Sequence, residues 1–290
     1  MPVRKAYSNW FIVPAVAIFT ALFIVPVIMG FGYSLTNWNS MSNTVKYIGF
    51  KNFAEIFAPQ SPYLSSLAIT FAFSALTILL KGALGLGLAL LLNEYVLTKN
   101  ILRGIFFLPQ TLSPLIIGIM FISILGPNGI VNQFLRLIGL EALTNSWLTN
   151  PKLVLGSTIA VECWRMAGWN MVIFLAGLQA IPHDYYEAAS IDGASAWTKF
   201  AKITIPFLMP SLTITTVLNA IHGLKSFDLI FALTGGGPGN LTELINVSVF
   251  HTFSQGRYGM STALSVVVFL ITAAIAMLIK NRMTKSEVDL

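Results

Sequence analysis

Six apolar stretches, each about the 20 residues needed to cross roughly 30 Å of hydrocarbon, most constrain what this chain can fold into. They cover about Trp10–Leu35, Ser66–Leu92, Ile105–Leu125, Leu153–Gln179, Ile205–Leu233 and Ser261–Ile279. Composition agrees, with 56% hydrophobic residues against 10% charged in 290. A soluble core of that size would come with a surface that makes roughly a quarter of the residues charged. The expected fold class is therefore an all-α membrane protein with six transmembrane helices. Pro14 and Pro26 interrupt the first stretch. It lacks the small-residue cleavage site of a signal peptide and is expected to stay in the mature protein.

Basic residues near span ends favour the cytoplasm. With six spans, Arg4, Lys5, Lys99, Arg103, Lys199, Lys202, Lys280, Arg282 and Lys285 fall on one side, and Lys46, Lys51, Arg136, Lys152 and Arg257 on the other. Both termini are then expected in the cytoplasm. The chain divides into a cytoplasmic N-terminus over residues 1–9, a six-span domain over 10–281 and a cytoplasmic tail over 282–290. The net charge of +6 is dispersed over loops and span ends, without the dense basic stripe that nucleic-acid binding requires. A single cysteine, Cys163, excludes an intrachain disulfide. His183, His222 and His251 are scattered, without acidic companions at metal-ligand spacing.

Between the fourth and fifth stretches lies IPHDYYEAASIDGASAWTKFAKITIPFLMP, residues 181–210. Pro182 closes the fourth helix, and His183 or Asp184 can cap a short helix carrying Tyr185, Glu187, Ala188 and Ala189. Asp192 and Gly193 make a break, because Gly193 takes positive φ at little cost. A second short helix follows from about Ala194 to Lys202, and Pro206 opens the fifth span. These residues fit either a plain connection or a docking site for a partner. Gly235, Gly236, Gly237 and Gly239 follow an apolar span, and with no strand before them they read as a tight turn at the outer face. No GxxxxGK[ST] phosphate loop occurs.

EAASIDGA followed by KITIP is similar to the EAA loop of permease subunits of ABC importers. LLNEYVLTKNILRGIFFLP over 91–109, FLAGLQAIP over 174–182 and FALTGGGPGNLTE over 231–243 extend the likeness, and together they resemble the maltose-type carbohydrate permeases. The resemblance implies a type I importer core with a cytoplasmic coupling loop over 182–204. In it Glu187, Ala188, Ala189, Asp192 and Gly193 would dock in a cleft of the ATPase. It implies a second homologous permease forming a heterodimer, two cytoplasmic ATPase subunits that use ATP and Mg, an external solute-binding protein, and no cofactor or catalytic residue in this chain. The expected function is alternating-access import of a sugar, a neutral di- or oligosaccharide. Glycerol 3-phosphate or another anionic solute is the alternative in the same architecture, and a secondary transporter the alternative from another class.

Sugar recognition calls for an aromatic platform with amide, hydroxyl and carboxylate groups around it. Trp164 with Glu162 and Arg165 supplies these from one helix, at positions that line the sugar site in the resembled family. Asn219, Gly223 and Ser226 match lining positions on the fifth span, and Gln110 a third region. Maltose-type members tend to carry an aromatic at the Gln110 position and an asparagine at the Glu162 position, so the identity of the sugar is not carried over. Trp169 and Asn170 are second choices. Glu162 and Arg165, three apart, share a helix face, as do Lys225 and Asp228. Lys81 is assigned to helix packing or water and left outside the site. A paired Arg165 would be spent structurally and would favour a neutral sugar.

Overall fold

The computed structural model describes residues 9–41, 44–93 and 98–286. Arg4, Lys5, the end of the tail, and residues 94–97 within the family-like stretch lie outside the described residues. The chain is helical, and among the described residues the β pairing is a lone bridge between Thr36 and Tyr47. The helices are α1 (Trp10–Ser34), α2 (Lys51–Ile56), α3 (Pro62–Asn93), α4 (Lys99–Thr111), α5 (Pro114–Leu125) and α6 (Ile130–Leu137). They continue with α7 (Val154–Gln179), α8 (Asp184–Ile191), α9 (Ala196–Phe207) and α10 (Met209–Leu224), α11 (Asp228–Thr234), α12 (Ile245–Ser254) and α13 (Tyr258–Met283).

Five helical stretches are long and apolar enough to cross a membrane, and α9 with α10, bent by 65°, makes a sixth if counted as one span. This is a multi-pass membrane protein. Two of the expected spans are broken rather than continuous. The stretch read as Ile105–Leu125 divides at Leu112, whose φ of −82° and ψ of 149° are extended. Ser113 is extended too, with ψ of 132°, because the ring of Pro114 disfavours helical geometry in the residue before it, and the membrane-length stretch becomes Pro114–Leu137. The fifth span likewise does not start at Pro206. Helix α9 passes through Pro206 to Phe207, and α10 begins after Leu208 with Pro210 in its first turn. The same span ends at Leu224 rather than Leu233.

Two wide π turns share a local origin. In each, a backbone N–H reaches five residues back, Val25 to the Thr20 carbonyl and Ile205 to the Phe200 carbonyl. Pro26 and Pro206 follow directly. A proline has no N–H to give and crowds the carbonyl four residues earlier, and the widened turn relieves that crowding.

Contacts divide the chain into two compact units, one of residues 1–64 and 248–269 and one of 65–247 and 270–290. In the first, Trp38 stacks against Tyr33 and Tyr258 at 4.6 and 5.0 Å between ring centres. The Asn52 amide donates to the Ser34 and Thr36 carbonyls. Arg257 donates to Glu55 at 2.7 Å and to the Tyr63 hydroxyl at 3.0 Å. The bond to Glu55 is the main cause that raises the Arg257 pKa above its ordinary value.

In the second unit, Leu92, Met171, Phe174, Leu175, Leu178 and Leu208 form one buried cluster, and Phe73, Ile159, Cys163, Ile230, Leu244 and Val247 another. Glycines let backbones approach, as is usual between membrane helices. A side chain at Gly168 would overlap the Phe106 carbonyl of α4, and one at Gly85 would overlap Asn170 of α7. The exposed faces carry large apolar residues, including Phe19, Leu22, Leu79, Ile119 and Leu278. Lipid accounts for that exposure.

Candidate transport cavity and connecting helix pair

Helix α7 turns a polar row inward at four-residue spacing: Thr158, Glu162 and Asn170 are all buried. Glu162, 2% exposed, is the centre of a charged cluster. Arg165 donates to it through Nε at 3.0 Å and through Nη2 at 2.9 Å from Oε2 and 3.2 Å from Oε1. From α3 the Lys81 ammonium, fully buried, donates to Oε1 at 3.3 Å. Arg165 Nη1 donates to the Gln110 side-chain carbonyl at 2.9 Å. Gln110 reaches this point because it sits in the last turn of α4, next to the break imposed by Pro114.

The cluster forms part of the wall of a cavity of about 410 Å³. Gln110, Glu162, Arg165, His222, Lys225, Ser226 and Asp228 supply its polar groups, with Pro114, Met166, Ile221, Phe227 and Leu229 between them. The lower part of the range typical of small-molecule pockets includes such a volume. Gln110, Glu162, Arg165 and Ser226 are thus brought together as the sequence suggested.

Trp164, Asn219 and Gly223 stand apart from them. Trp164 follows Glu162 by two residues, about 200° around a helix. It is 44% exposed, lies against Phe121 at 5.1 Å between ring centres, and lines a separate apolar groove with Leu125, Trp147 and Ala160. Asn219 is buried in a reciprocal amide pair with Asn170, donating at 2.7 Å and accepting at 3.4 Å. Gly223 is a contact point between α10 and α3, where an added Cβ would come within 2.9 Å of the Ser74 hydroxyl. Of the second choices, Asn170 is in that amide clamp, and Trp169 stacks on Phe107 at 6.3 Å.

Lys81, assigned from the sequence to helix packing or water, is fully buried against α7, and its ion pair with Glu162 is the contact sequence reasoning missed. The available signal was its charge inside an otherwise apolar span, a position that normally carries a function. His222 and Asp228 also line the cavity. Lys225 and Asp228 do not share one helix, since α10 ends at Leu224 and α11 begins at Asp228.

The segment after α7 is the expected helix pair. Helix α8 ends at Ile191, and Gly193 turns the chain with φ of +73°. The second helix begins two residues later than the pattern suggested, where the Ser195 hydroxyl accepts from the Thr198 N–H at 3.2 Å and so caps it. Lys199 donates to Ser190 at 2.7 Å, and Tyr186 bonds Thr204 at 2.9 Å, tying the two helices together. Glu187, Ala188, Asp192 and Gly193 are exposed and Ala189 is half-buried. The Glu187 carboxylate is 3.6 Å from His183 Nδ1. Ile191 and Trp197 project apolar side chains that are 88% and 73% exposed. After the glycine run, Gly235, Gly236 and Gly239 all take positive φ, and Thr242 donates to the Gly237 carbonyl at 2.8 Å. That stretch is a tight turn, as expected. Among the described residues no three His, Cys, Asp or Glu side chains group as metal ligands.

Residues 81–285 match the family described as binding-protein-dependent transport system inner membrane component. The chain belongs to that family. Relatives within this group of transport components cover nearly the whole length. A probable starch degradation products transport system permease protein of Thermoanaerobacterium thermosulfurigenes is 30% identical over 97% of this chain and 94% of its own. A trehalose/maltose transport system permease protein of Thermococcus litoralis is 32% identical over 90% and 88%. The fold is similar to that of a chain in a bacterial ABC transporter involved in import of the acidic polysaccharide alginate. There the TM-score is 0.81 at 24% identity, covering 95% of this chain and 94% of the other. Proteins of this kind are permease subunits, and the chain is not itself an enzyme.

Proposed function

We propose that this chain is the sugar-conducting permease of an ATP-driven importer, and that the cavity beside Glu162 is its share of the translocation path. The observation that carries the reading is a polar, charged cavity walled by membrane helices, in a family of transport components whose relatives are named for starch products and for trehalose and maltose. Amide, hydroxyl and charged groups in that wall suit the hydroxyls of a saccharide. A neutral di- or oligosaccharide and an anionic solute both fit such a wall. Arg165 is indeed paired with Glu162, but Lys81 shares the same carboxylate, so the pairing no longer argues for a neutral substrate. A secondary transporter finds no support in the family assignment.

In this reading both termini and the α8–α9 pair face the cytoplasm. Glu187, Ala188, Ala189, Asp192 and Gly193 dock in one of two ATPase subunits, and a second, homologous permease completes the path. An external binding protein delivers the sugar. ATP-driven closure of the ATPases would pull on the helix pair and rock the membrane helices about the cavity, opening it to one side at a time. The Tyr186–Thr204 and Lys199–Ser190 bonds make the pair stiff enough to transmit that motion.

The test is ATP hydrolysis by the reconstituted complex with its binding protein and a panel of saccharides, comparing wild type with Glu187→Lys. A saccharide should stimulate hydrolysis, and the substitution should abolish the stimulation while assembly survives. Stimulation that persists in the variant would refute the coupling role, and a panel without any active saccharide would refute the sugar reading.

A further inference from the structure

We propose that the cavity is built for a saccharide carrying an anionic group, with Arg165 as the receptor of that group and Lys81 as the positioning residue that offsets the Glu162 carboxylate and so leaves the charge of Arg165 unbalanced toward it. The proposal rests on the sugar reading and specifies the substrate class.

The argument is one of charge balance. Glu162 has one negative charge and two cations on it, Lys81 at 3.3 Å and Arg165 at 2.9 Å. Both carboxylate oxygens are occupied, and the group is almost fully buried. Removing one cation would leave a conventional buried pair; with both present the cluster retains one positive charge inside a membrane protein, where an unbalanced charge is costly. Lys225 and Asp228, also at the cavity, offset each other, so the described residues there count three fixed cations against two carboxylates.

Lys81 is sealed, whereas Arg165 forms part of the cavity wall. Of the five N–H groups on its guanidinium, the bonds to Glu162 and Gln110 engage Nε, one from Nη1 and one from Nη2. Two N–H groups remain, one on each terminal nitrogen, an arrangement suited to a carboxylate or a phosphate. Gln110 and Ser226 beside it can serve sugar hydroxyls. A uronate and a sugar phosphate share this chemistry.

The test uses the complete importer complex in lipid nanodiscs, without ATP and without the binding protein, so that the permease site alone is read. Equilibrium binding is measured for a uronic-acid trisaccharide, its carboxyl-reduced neutral counterpart and a hexose phosphate. At least one anionic probe should bind about tenfold more tightly than the neutral one, the size of one charge-assisted hydrogen bond. Which probe it is identifies carboxylate or phosphate as the source. The preference should shrink as salt is raised. Arg165→Gln and Lys81→Met should each erase most of the preference, and Arg165→Lys should restore part of it. Equal or tighter binding of the neutral trisaccharide by the wild type overturns the proposal without recourse to a variant. So does Lys81→Met if the protein stays folded and its preference is unchanged. Should none of the probes bind while some non-saccharide solute stimulates ATP hydrolysis, the sugar reading itself falls.

Discussion

A carboxylate shared by two cations behaves differently from a paired one when a member is removed. Glu162→Gln strands Lys81 and Arg165 beside each other in a site with little water, and breaking a buried pair in this way costs about 3–5 kcal/mol. A thermal unfolding series in detergent should therefore show this variant falling furthest, with Lys81→Met, which leaves the Arg165–Glu162 pair intact, well above it. If Lys81→Met were the worse of the two, the cluster would not be organised around Glu162. Sequence alone revealed half of this arrangement. The three-residue spacing of Glu162 and Arg165 is a local signal, but Lys81 meets them across 81 positions of chain, and no periodicity reports such a contact. The same limit hides the surroundings of Asn219 and Trp164. Matching a position says which residue is on a helix, and a rotation of some tens of degrees decides whether it meets the cavity, an amide partner or an apolar groove.

Between elements, close backbone approach and local caps do most of the positioning. Gly168→Val would push a branched side chain into the Phe106 carbonyl and separate α4 from α7. The destabilisation should reach about 3 kcal/mol, the upper part of the overpacking range. It should be read as a fall in the detergent melting temperature together with reduced saccharide binding, because Gln110 rides on α4. A smaller effect is expected at the exposed helix pair. Ser195→Ala removes the cap on α9, worth about 1 kcal/mol, so the Thr198 amide should exchange hydrogen roughly fivefold faster while the membrane helices keep their protection. Helix existence was legible from apolar runs, and the pair over 184–207 from Pro182, Gly193 and the charged residues between. Breaks inside runs were not, since a proline within a membrane-length stretch, such as Pro114 or Pro210, reads the same whether a helix bends there or continues.

Across the whole molecule, exposed apolar side chains occur on the spans, on the connecting segments and on the short helix pair. Those on the spans are covered by lipid. Ile191 and Trp197 are different, because they project from the short helices that carry the family-like motif. In the proposed assembly they are buried by the ATPase, and a well-buried aromatic anchor is typically worth 2 kcal/mol or more, about thirtyfold in affinity. Trp197→Ala should accordingly reduce recovery of the ATPase subunits with the tagged permease by at least about tenfold. Insertion of the chain into the membrane should be unchanged. Recovery at the wild-type level would place the docking surface elsewhere.

The surplus residue in the π turn over Phe200–Thr204 also sets a phase. Everything before it, α8 and the first turn of α9, is offset by about 100° of rotation relative to the direction it would take if α9 were uninterrupted. In the proposed assembly, the linkage between the docking motif and the helices of the conducting path therefore works like a gear keyed by one tooth. Deleting a single residue there would leave the motif and the cavity each chemically intact but rotated out of step.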